Sequence, residues 1–144
     1  NKGRDHRCFG GNDLGMLQRA VELRSGREGE TRFVEVENVG AGHAFPTDER
    51  SRAADLFWRD LSIPGEAGPW THLYRFRDPY RHEPWIERTI LFPHDTRRVE
   101  LPAETASLAV EVALFYNRIP VWNDPENPDP EREAVLVHSV TIEP

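Results

Sequence analysis

The histidine with the most distinctive surroundings in this chain is His43, which lies in the segment Asn38-Val-Gly-Ala-Gly-His-Ala-Phe-Pro-Thr-Asp48. An imidazole can bind a metal or carry a proton, provided that the chain presents it correctly. Gly40 and Gly42 can adopt backbone conformations that other residues reach only at a cost. Pro46 fixes its own φ and pushes the residue before it toward an extended conformation. We therefore expect a shaped loop that presents the His43 imidazole to a group outside the domain.

Three segments of the chain resemble a known family. Gly42-His43-Ala44-Phe45-Pro46-Thr47 is similar to the Gly-His-x-Phe-Pro-Thr-Gly motif of the β-sandwich domain at the C-terminal end of certain multihaem c-type cytochromes. Upstream, Asp5-His6-Arg7-Cys8-Phe9-Gly10-Gly11 resembles the family's His-x-Phe-x-Gly-Gly-His segment, and downstream, Val110 to Pro120 resembles a strand that ends in Tyr-x-Arg-x-Pro. Two positions depart from the pattern, since Asp48 replaces a glycine and Asn12 replaces the second upstream histidine.

The resemblance implies a role beside haem. A c-type haem takes its proximal histidine from the attachment motif, which leaves the sixth position of the iron for an imidazole from elsewhere. His43 is the predicted distal ligand to the haem iron, and His6 is a second predicted cofactor-binding residue. Because Cys8 is the only cysteine, the chain has no Cys-x-x-Cys-His motif, so the haem c is expected on an upstream domain or a partner chain.

The family further implies a non-catalytic accessory or interaction domain of an electron-transfer system, located in the periplasm or outside the cell and forming part of a larger assembly. Three alternatives stay open at this point. The His43 segment could be a corner of the sandwich whose imidazole hydrogen-bonds to backbone groups, or His43 and Asp48 could contribute to a zinc or copper site. The chain could also be a haem-independent module that binds protein or carbohydrate, with its tryptophans and tyrosines forming a sugar-binding face.

Composition excludes several other classes of protein. The 144 residues suit one domain, and the net charge of −7 comes without any basic cluster, which argues against nucleic-acid binding. No apolar run approaches the roughly 20 residues of a membrane span. The common catalytic motifs are absent, and no spacing among the 25 acidic residues singles out a pair for acid–base chemistry, so we predict that the chain is not an enzyme. The first residue is Asn1, which we expect not to be the translational start.

Hydrophobic periodicity predicts an all-β fold, an antiparallel immunoglobulin-like β-sandwich with one short N-terminal helix. We divide the chain into an extended lead-in and helix, residues 1–29, and a β-sandwich domain, residues 30–144. The helix is expected to begin after Asn12 or Asp13 and to end at Gly26, whereas residues 123–130 are expected to form a solvated loop. His72 and His138 are expected to be packed or at a strand edge, and His82 and His94 to face solvent. The predicted strands are Thr31 onward, Ala53–Ile63, Trp70–Arg77, Ile86–Phe92, Thr96–Leu101, Leu108–Tyr116 and Ala134–Ile142.

Overall fold

The computed structural model describes residues 14–40, 44–46, 52–77, 83, 85, 88–117 and 121–144. Within these residues, seven strands form two antiparallel sheets, with the order β1-β2-β5 in one and β4-β3-β6-β7 in the other. This confirms the predicted antiparallel sandwich with one short N-terminal helix. The elements in chain order are α1 (Leu14–Ala20), β1 (Val21–Glu28), β2 (Thr31–Asn38), β3 (Ala53–Asp60), β4 (Thr71–Phe76), β5 (Thr96–Glu100), a 3-10 turn (Ala103–Thr105), β6 (Val110–Asn117), α2 (Pro130–Glu133) and β7 (Val135–Ile142).

The immunoglobulin-like part of the prediction stays a prediction. In a constant-type immunoglobulin domain the fourth strand joins the sheet of the first, second and fifth strands. Here β4 pairs with β3 in the other sheet.

The core lies between the two sheets, where the two most regular strands face each other. Val34 and Val36 on β2 share one buried cluster with Val110, Val112 and Leu114 on β6, and all five side chains are fully buried. The period of two along both strands places these residues on one face each. Burying each such side chain stabilises the fold by about 1.5–3 kcal/mol.

The N-terminal helix is shorter than predicted. It ends at Ala20, and the chain continues directly as β1, which pairs with β2 along its whole length from Val21 to Glu28. The apolar residues Val21 and Leu23 fit a period of two as well as a helical one, so periodicity alone did not separate the two structures. The predicted boundary between residues 29 and 30 falls in the turn that joins these paired strands, where Gly29 has a φ of 63°.

Gly26, the predicted end of the helix, is a strand residue with a packing role. A Cβ at this position would lie 2.6 Å from the ring of Phe33 on the neighbouring strand. The aromatic ring thus covers the glycine, and the Arg98 guanidinium lies over the same ring at 3.7 Å from its centre. The absence of a side chain at Gly26 allows this stack to form.

An irregularity in the pairing of β3 and β4 places Trp70 and His72 on the opposite face from Tyr74 and Phe76. Strict alternation along the predicted strand Trp70–Arg77 would put all four on one side, but the register of β3 and β4 shifts between Leu56 and Phe57. Phe76 belongs to the central core and Tyr74 packs against it, whereas Trp70 packs against a second cluster on the outer face of the four-stranded sheet. An extra residue in one strand reverses the alternation beyond it.

Two further segments differ from the prediction. In the predicted strand Ile86–Phe92, the described residues 88–92 contain one isolated bridge, between Leu91 and Phe45. In the predicted solvated loop, residues 123–127 are exposed as expected, whereas residues 128–129 are half-buried and Pro130 is buried. Trp122, which directly precedes this loop, is buried in a cluster with Phe57 and Phe115 on the outer face of the four-stranded sheet. The short helix α2 then leads into β7.

Candidate functional site

The predicted cofactor-binding residues lie outside the described residues. This applies to His43 and His6, and also to Asp48, Cys8 and the whole lead-in of residues 1–11. Their roles stay predictions. The described positions that flank His43 are Gly40 on one side and Ala44 to Pro46 on the other, and these define one end of the sandwich.

The chain leading to His43 is held by backbone hydrogen bonds to the end of α1. The amides of Val39 and Gly40 both donate to the carbonyl oxygen of Ala20, at 3.0 and 2.9 Å. The side chain of Asn38, which is buried, donates from Nδ2 to the carbonyl of Leu91 at 3.1 Å. The strand end of β2 is therefore attached to two separate segments of the chain.

Gly40 is required for a reason other than the predicted one. The described glycines with a positive φ are Gly29 and Gly65, so backbone freedom does not explain Gly40. A Cβ at Gly40 would instead lie 2.5 Å from the Cα of Ala20, a distance that ordinary packing does not allow. The glycine permits the close approach of the loop to α1.

The residues after His43 form a packed corner. Phe45 is 2% exposed and exchanges two backbone hydrogen bonds with Leu91, of 2.7 and 3.0 Å. Its ring meets the edge of Phe76 with the ring centres 6.1 Å apart, and the bond between Phe45 and Pro46 is cis. Phe45 thus belongs to the central core. The sandwich-corner alternative concerns the His43 imidazole, which lies outside the described residues, so it stays open.

An apolar pocket opens between α1 and this corner. It has a volume of about 420 Å³, and its walls include Met16 and Leu17 from α1 and Val39, Phe45 and Pro46 from the other side. Three apolar side chains at this end are partly exposed: Leu14 (40%), Met16 (37%) and Val39 (37%). Arg19, an exposed residue near the end of α1, also lines the pocket.

The described histidines have other partners. His72 Nε2 lies 2.7 Å from Asp55 Oδ1, and His138 Nε2 lies 2.8 Å from the carbonyl oxygen of Val21. His94 is exposed in a turn, with a φ of 72°. The packed or edge positions predicted for the first two, and the solvent-facing position predicted for His94, are confirmed. His82 lies outside the described residues.

The most prominent polar cluster of the described chain was not predicted. Asp55, on the central strand β3, is fully buried and accepts hydrogen bonds from His72 and from Arg75 Nε (2.8 Å) and Nη2 (3.0 Å). Burial raises the pKa of Asp55, but the hydrogen bonds from His72 and Arg75 outweigh it and hold this pKa below its ordinary value. The sequence signal was a carboxylate between Ala54 and Leu56 in an apolar strand, which requires a partner when buried.

This cluster borders a groove on the outer face of the four-stranded sheet, between the start of β4 and residues 122–131, with a volume of about 1170 Å³. Arg75 already balances the charge on Asp55, and both the arginine and His72 come from the strand next to Asp55. The network therefore holds β4 against β3 at the point where their register shifts.

The tryptophans are engaged in packing for the most part. Trp122 is buried, Trp58 packs against the central core, and Trp70 donates from its indole nitrogen to Glu131 at 2.8 Å beneath the Arg59 guanidinium. Trp85, 75% exposed, is the one indole of the four that is largely free of the fold. The described residues thus show no row of exposed tryptophans, and the sugar-binding alternative stays a prediction.

The described part of the chain has neither a metal-binding cluster nor a membrane-spanning helix. No group of three or more His, Cys, Asp or Glu side chains is placed so that it could hold a metal ion among these residues. The proposed zinc or copper site with His43 and Asp48 lies outside them. None of the described helices is both long enough and apolar enough to cross a membrane.

Comparison with known proteins gives one informative likeness. No family model matches the chain, and no curated protein matches it. Among solved structures, the fold is similar to that of a penta-heme cytochrome c552 from Thermochromatium tepidum, with a TM-score of 0.61 and 23% sequence identity. The similar region covers 96% of this chain but 43% of the cytochrome chain. At this level of identity the likeness establishes a shared fold for the sandwich.

Proposed function

We propose that this chain is a non-catalytic accessory domain of an extracytoplasmic multihaem cytochrome system, in which His43 supplies the distal ligand to a neighbouring haem. The observation that carries the proposal is the likeness of almost the whole chain to less than half of a penta-heme cytochrome. A sandwich that accounts for part of such a protein leaves the remainder of the polypeptide to carry haem. The Gly-His-x-Phe-Pro-Thr motif supports the same assignment independently.

The contact with the haem-bearing partner lies at the end of the sandwich formed by α1 and the residues around His43. Contiguous exposed apolar surface marks sites of interaction. Met16 and Val39, both partly exposed, line the apolar pocket there, and Ala44, which directly follows His43, lines the same pocket. Pocket walls that directly flank His43 in the sequence suit a haem whose iron this histidine binds.

The haem c belongs to an upstream domain or a partner chain, because the single cysteine cannot form the usual attachment motif. When present, the haem supplies one-electron transfer, while this chain supplies a ligand and excludes water around it. His6 is a second proposed contact, since it lies in the segment that leads to α1. Cytochromes of this kind mature outside the cytoplasm, which makes the periplasm or the cell exterior the proposed location.

Replacing His43 in the complete haem-bearing assembly tests the proposal. His43→Ala should convert one haem from low spin to high spin while the sandwich stays folded, because the iron loses one of its two strong-field ligands. His43→Met should keep that haem six-coordinate and raise its potential, since a thioether favours reduced iron relative to imidazole. Absorbance, electron paramagnetic resonance and a redox titration provide the readings.

A nearby histidine provides the matched control. His94→Asn removes an exposed imidazole from the turn whose amide donates to Asn38, and asparagine tolerates the positive φ of that position. This variant should leave every haem spectrum unchanged. The alternative is that His43 only stabilises a corner of the sandwich through hydrogen bonds. In that case His43→Ala will cost about 1–3 kcal/mol of stability and leave all haem spectra unchanged, and the proposal will be wrong.

A further inference from the structure

The apolar pocket beside the residues that flank His43 has on its lining a cationic side chain with no partner among the described residues. The Arg19 guanidinium makes no ion pair or hydrogen bond with any described residue, although the chain carries 25 acidic residues. Several other arginines are paired, such as Arg24 with Glu37, Arg59 with Glu111, and Arg98 with Glu28. At this end of the sandwich, Arg19 thus places a positive charge next to the apolar walls of the pocket.

The apolar walls and the arginine together indicate the kind of ligand that the pocket would bind. An apolar cavity with one well-placed charged group binds a molecule with an apolar body and a group of opposite charge. The occupant should therefore carry a carboxylate on an apolar framework. The volume of about 420 Å³ lies toward the low end of the range for ligand pockets, roughly 300–1,000 Å³, so the pocket accommodates the edge of a large planar molecule and not its whole area.

We propose that this pocket receives the apolar edge of the partner's haem and that Arg19 pairs with one of its propionate groups. The inference rests on the proposed function, because it takes the haem-bearing module as the occupant. Met16 stands at the wall of the pocket, where a polarisable thioether makes favourable contacts with the edge of an aromatic ring system. Arginine suits a carboxylate because its planar guanidinium can donate two parallel hydrogen bonds.

The pairing has a consequence for the redox potential. A propionate is an anion close to the iron, and an unpaired anion stabilises the ferric state over the ferrous state. The Arg19 guanidinium offsets that charge and raises the potential of this haem. Arg19 is hence a positioning and tuning residue, and its effect does not depend on ligation by His43.

A charge series at position 19 in the complete haem-bearing assembly tests the inference. We expect the potential of one haem to fall in the order Arg19→Lys, Arg19→Gln, Arg19→Glu, while that haem remains low spin. The propionate bending band in resonance Raman spectra should shift in the Gln and Glu variants and less in the Lys variant. Thermal melting confirms that each variant is folded, which is expected for an exposed side chain.

Arg27→Gln is the matched control. Arg27 is an exposed arginine of β1, six residues beyond Val21 and so about 20 Å farther along the sandwich. It loses the same charge at a distance where solvent and salt screen its effect on the haem. All potentials and Raman bands should stay at their wild-type values in this variant.

The outcomes separate this inference from the proposed function. If His43→Ala changes the spin state but the series at position 19 leaves every potential unchanged, the inference is wrong and the proposed function stands. If neither changes any haem, both are wrong. A free amphipathic carboxylate could fill the same pocket in place of the haem edge. Decanoate serves as the probe for such a ligand. Calorimetric binding of decanoate that is lost in Arg19→Gln, with unchanged haem potentials, would overturn the haem assignment in favour of a free ligand.

Discussion

Replacing Asp55 with asparagine should reveal how strongly the buried polar cluster stabilises the fold. Asp55 is fully buried, and its two oxygens are met by Arg75 and His72 from the adjacent strand. Asparagine has nearly the same volume, so the change removes a charge without leaving a cavity. It also replaces one accepting oxygen with an NH₂ group that faces donors.

The expected loss follows from what the change leaves behind. Breaking a buried ion pair by removing one partner costs about 3–5 kcal/mol, because an uncompensated charge is left in the interior. Here the Arg75 side chain is 25% exposed and can turn partly toward water. We therefore expect a loss of stability at the lower end of this range, about 3 kcal/mol. For a chain of 144 residues, an entropy of unfolding of about 2.1 cal/mol/K per residue converts this loss to a fall in Tm of about 10 °C.

The loss should also depend on pH, with a sign set by the pKa of Asp55. Because the folded-state pKa lies below the ordinary value of 3.8, the ionised carboxylate contributes its full stabilisation above about pH 4. That contribution disappears as the pH falls through the folded-state pKa. The difference in stability between wild type and Asp55→Asn should therefore be constant near neutral pH and shrink below about pH 4.

Urea unfolding followed by circular dichroism, repeated from pH 7 down to pH 3, measures both effects. Asp60→Asn is the control, since Asp60 ends the same strand and accepts a hydrogen bond from the exposed amide of Ser62; its replacement should have a much smaller effect. A double-mutant cycle with Arg75→Gln should show a favourable coupling between the two residues. The double variant should therefore lose less stability than the sum of the two single losses. A loss below 1 kcal/mol at neutral pH, or a difference that stays constant down to pH 3, would refute an ionised Asp55 held by Arg75 and His72.

Two further predictions concern the site and the core. Gly40→Ala should destabilise the fold by about 1–3 kcal/mol, since its Cβ would collide with Ala20. The variant should also shift the NMR signals of the amides around the pocket. Gly65→Ala, in an open turn, is the control and should leave those signals unchanged. Val112→Asp should abolish the cooperative melt, because a buried unpaired carboxylate costs on the order of several kcal/mol against a total stability of about 5–15. A normal melt in the latter variant would remove β6 from the core.

The strands with strict alternation could be predicted from the sequence, and those with interrupted alternation could not. Val34 and Val36 alternate with Glu35 and Glu37, so in this part of β2 the face that carries the valines is the one that faces the core. β1 is different, because Val21 and Leu23 suit both periods and pairing with β2 settles the structure. In β4 the register shift at Leu56 and Phe57 has no local sequence signal, since it depends on how two strands meet.

The candidate site was predictable in part. The motif identified the loop, and the packed positions of Phe45 and Pro46 agree with a shaped corner. The pocket was not predictable, because its walls come from two parts of the chain that are distant in sequence, α1 and residues 38–46. Only folding brings these residues close to Arg19. The buried cluster at Asp55 likewise joins residues about 20 positions apart through strand pairing.

The position of the site depends on the same contacts that stabilise the core. Leu17 and Phe45 line the pocket and also belong to the central buried cluster, while Ala20 and Leu91 accept the hydrogen bonds that fix the chain on either side of the His43 segment. These anchors come from regions of the chain that are far apart in sequence, so they form only when both sheets have packed. The corner therefore has the rigid support that ligands to metals and cofactors require. A substitution that loosens the core around Phe45 should consequently disturb the surroundings of His43 before it unfolds the domain.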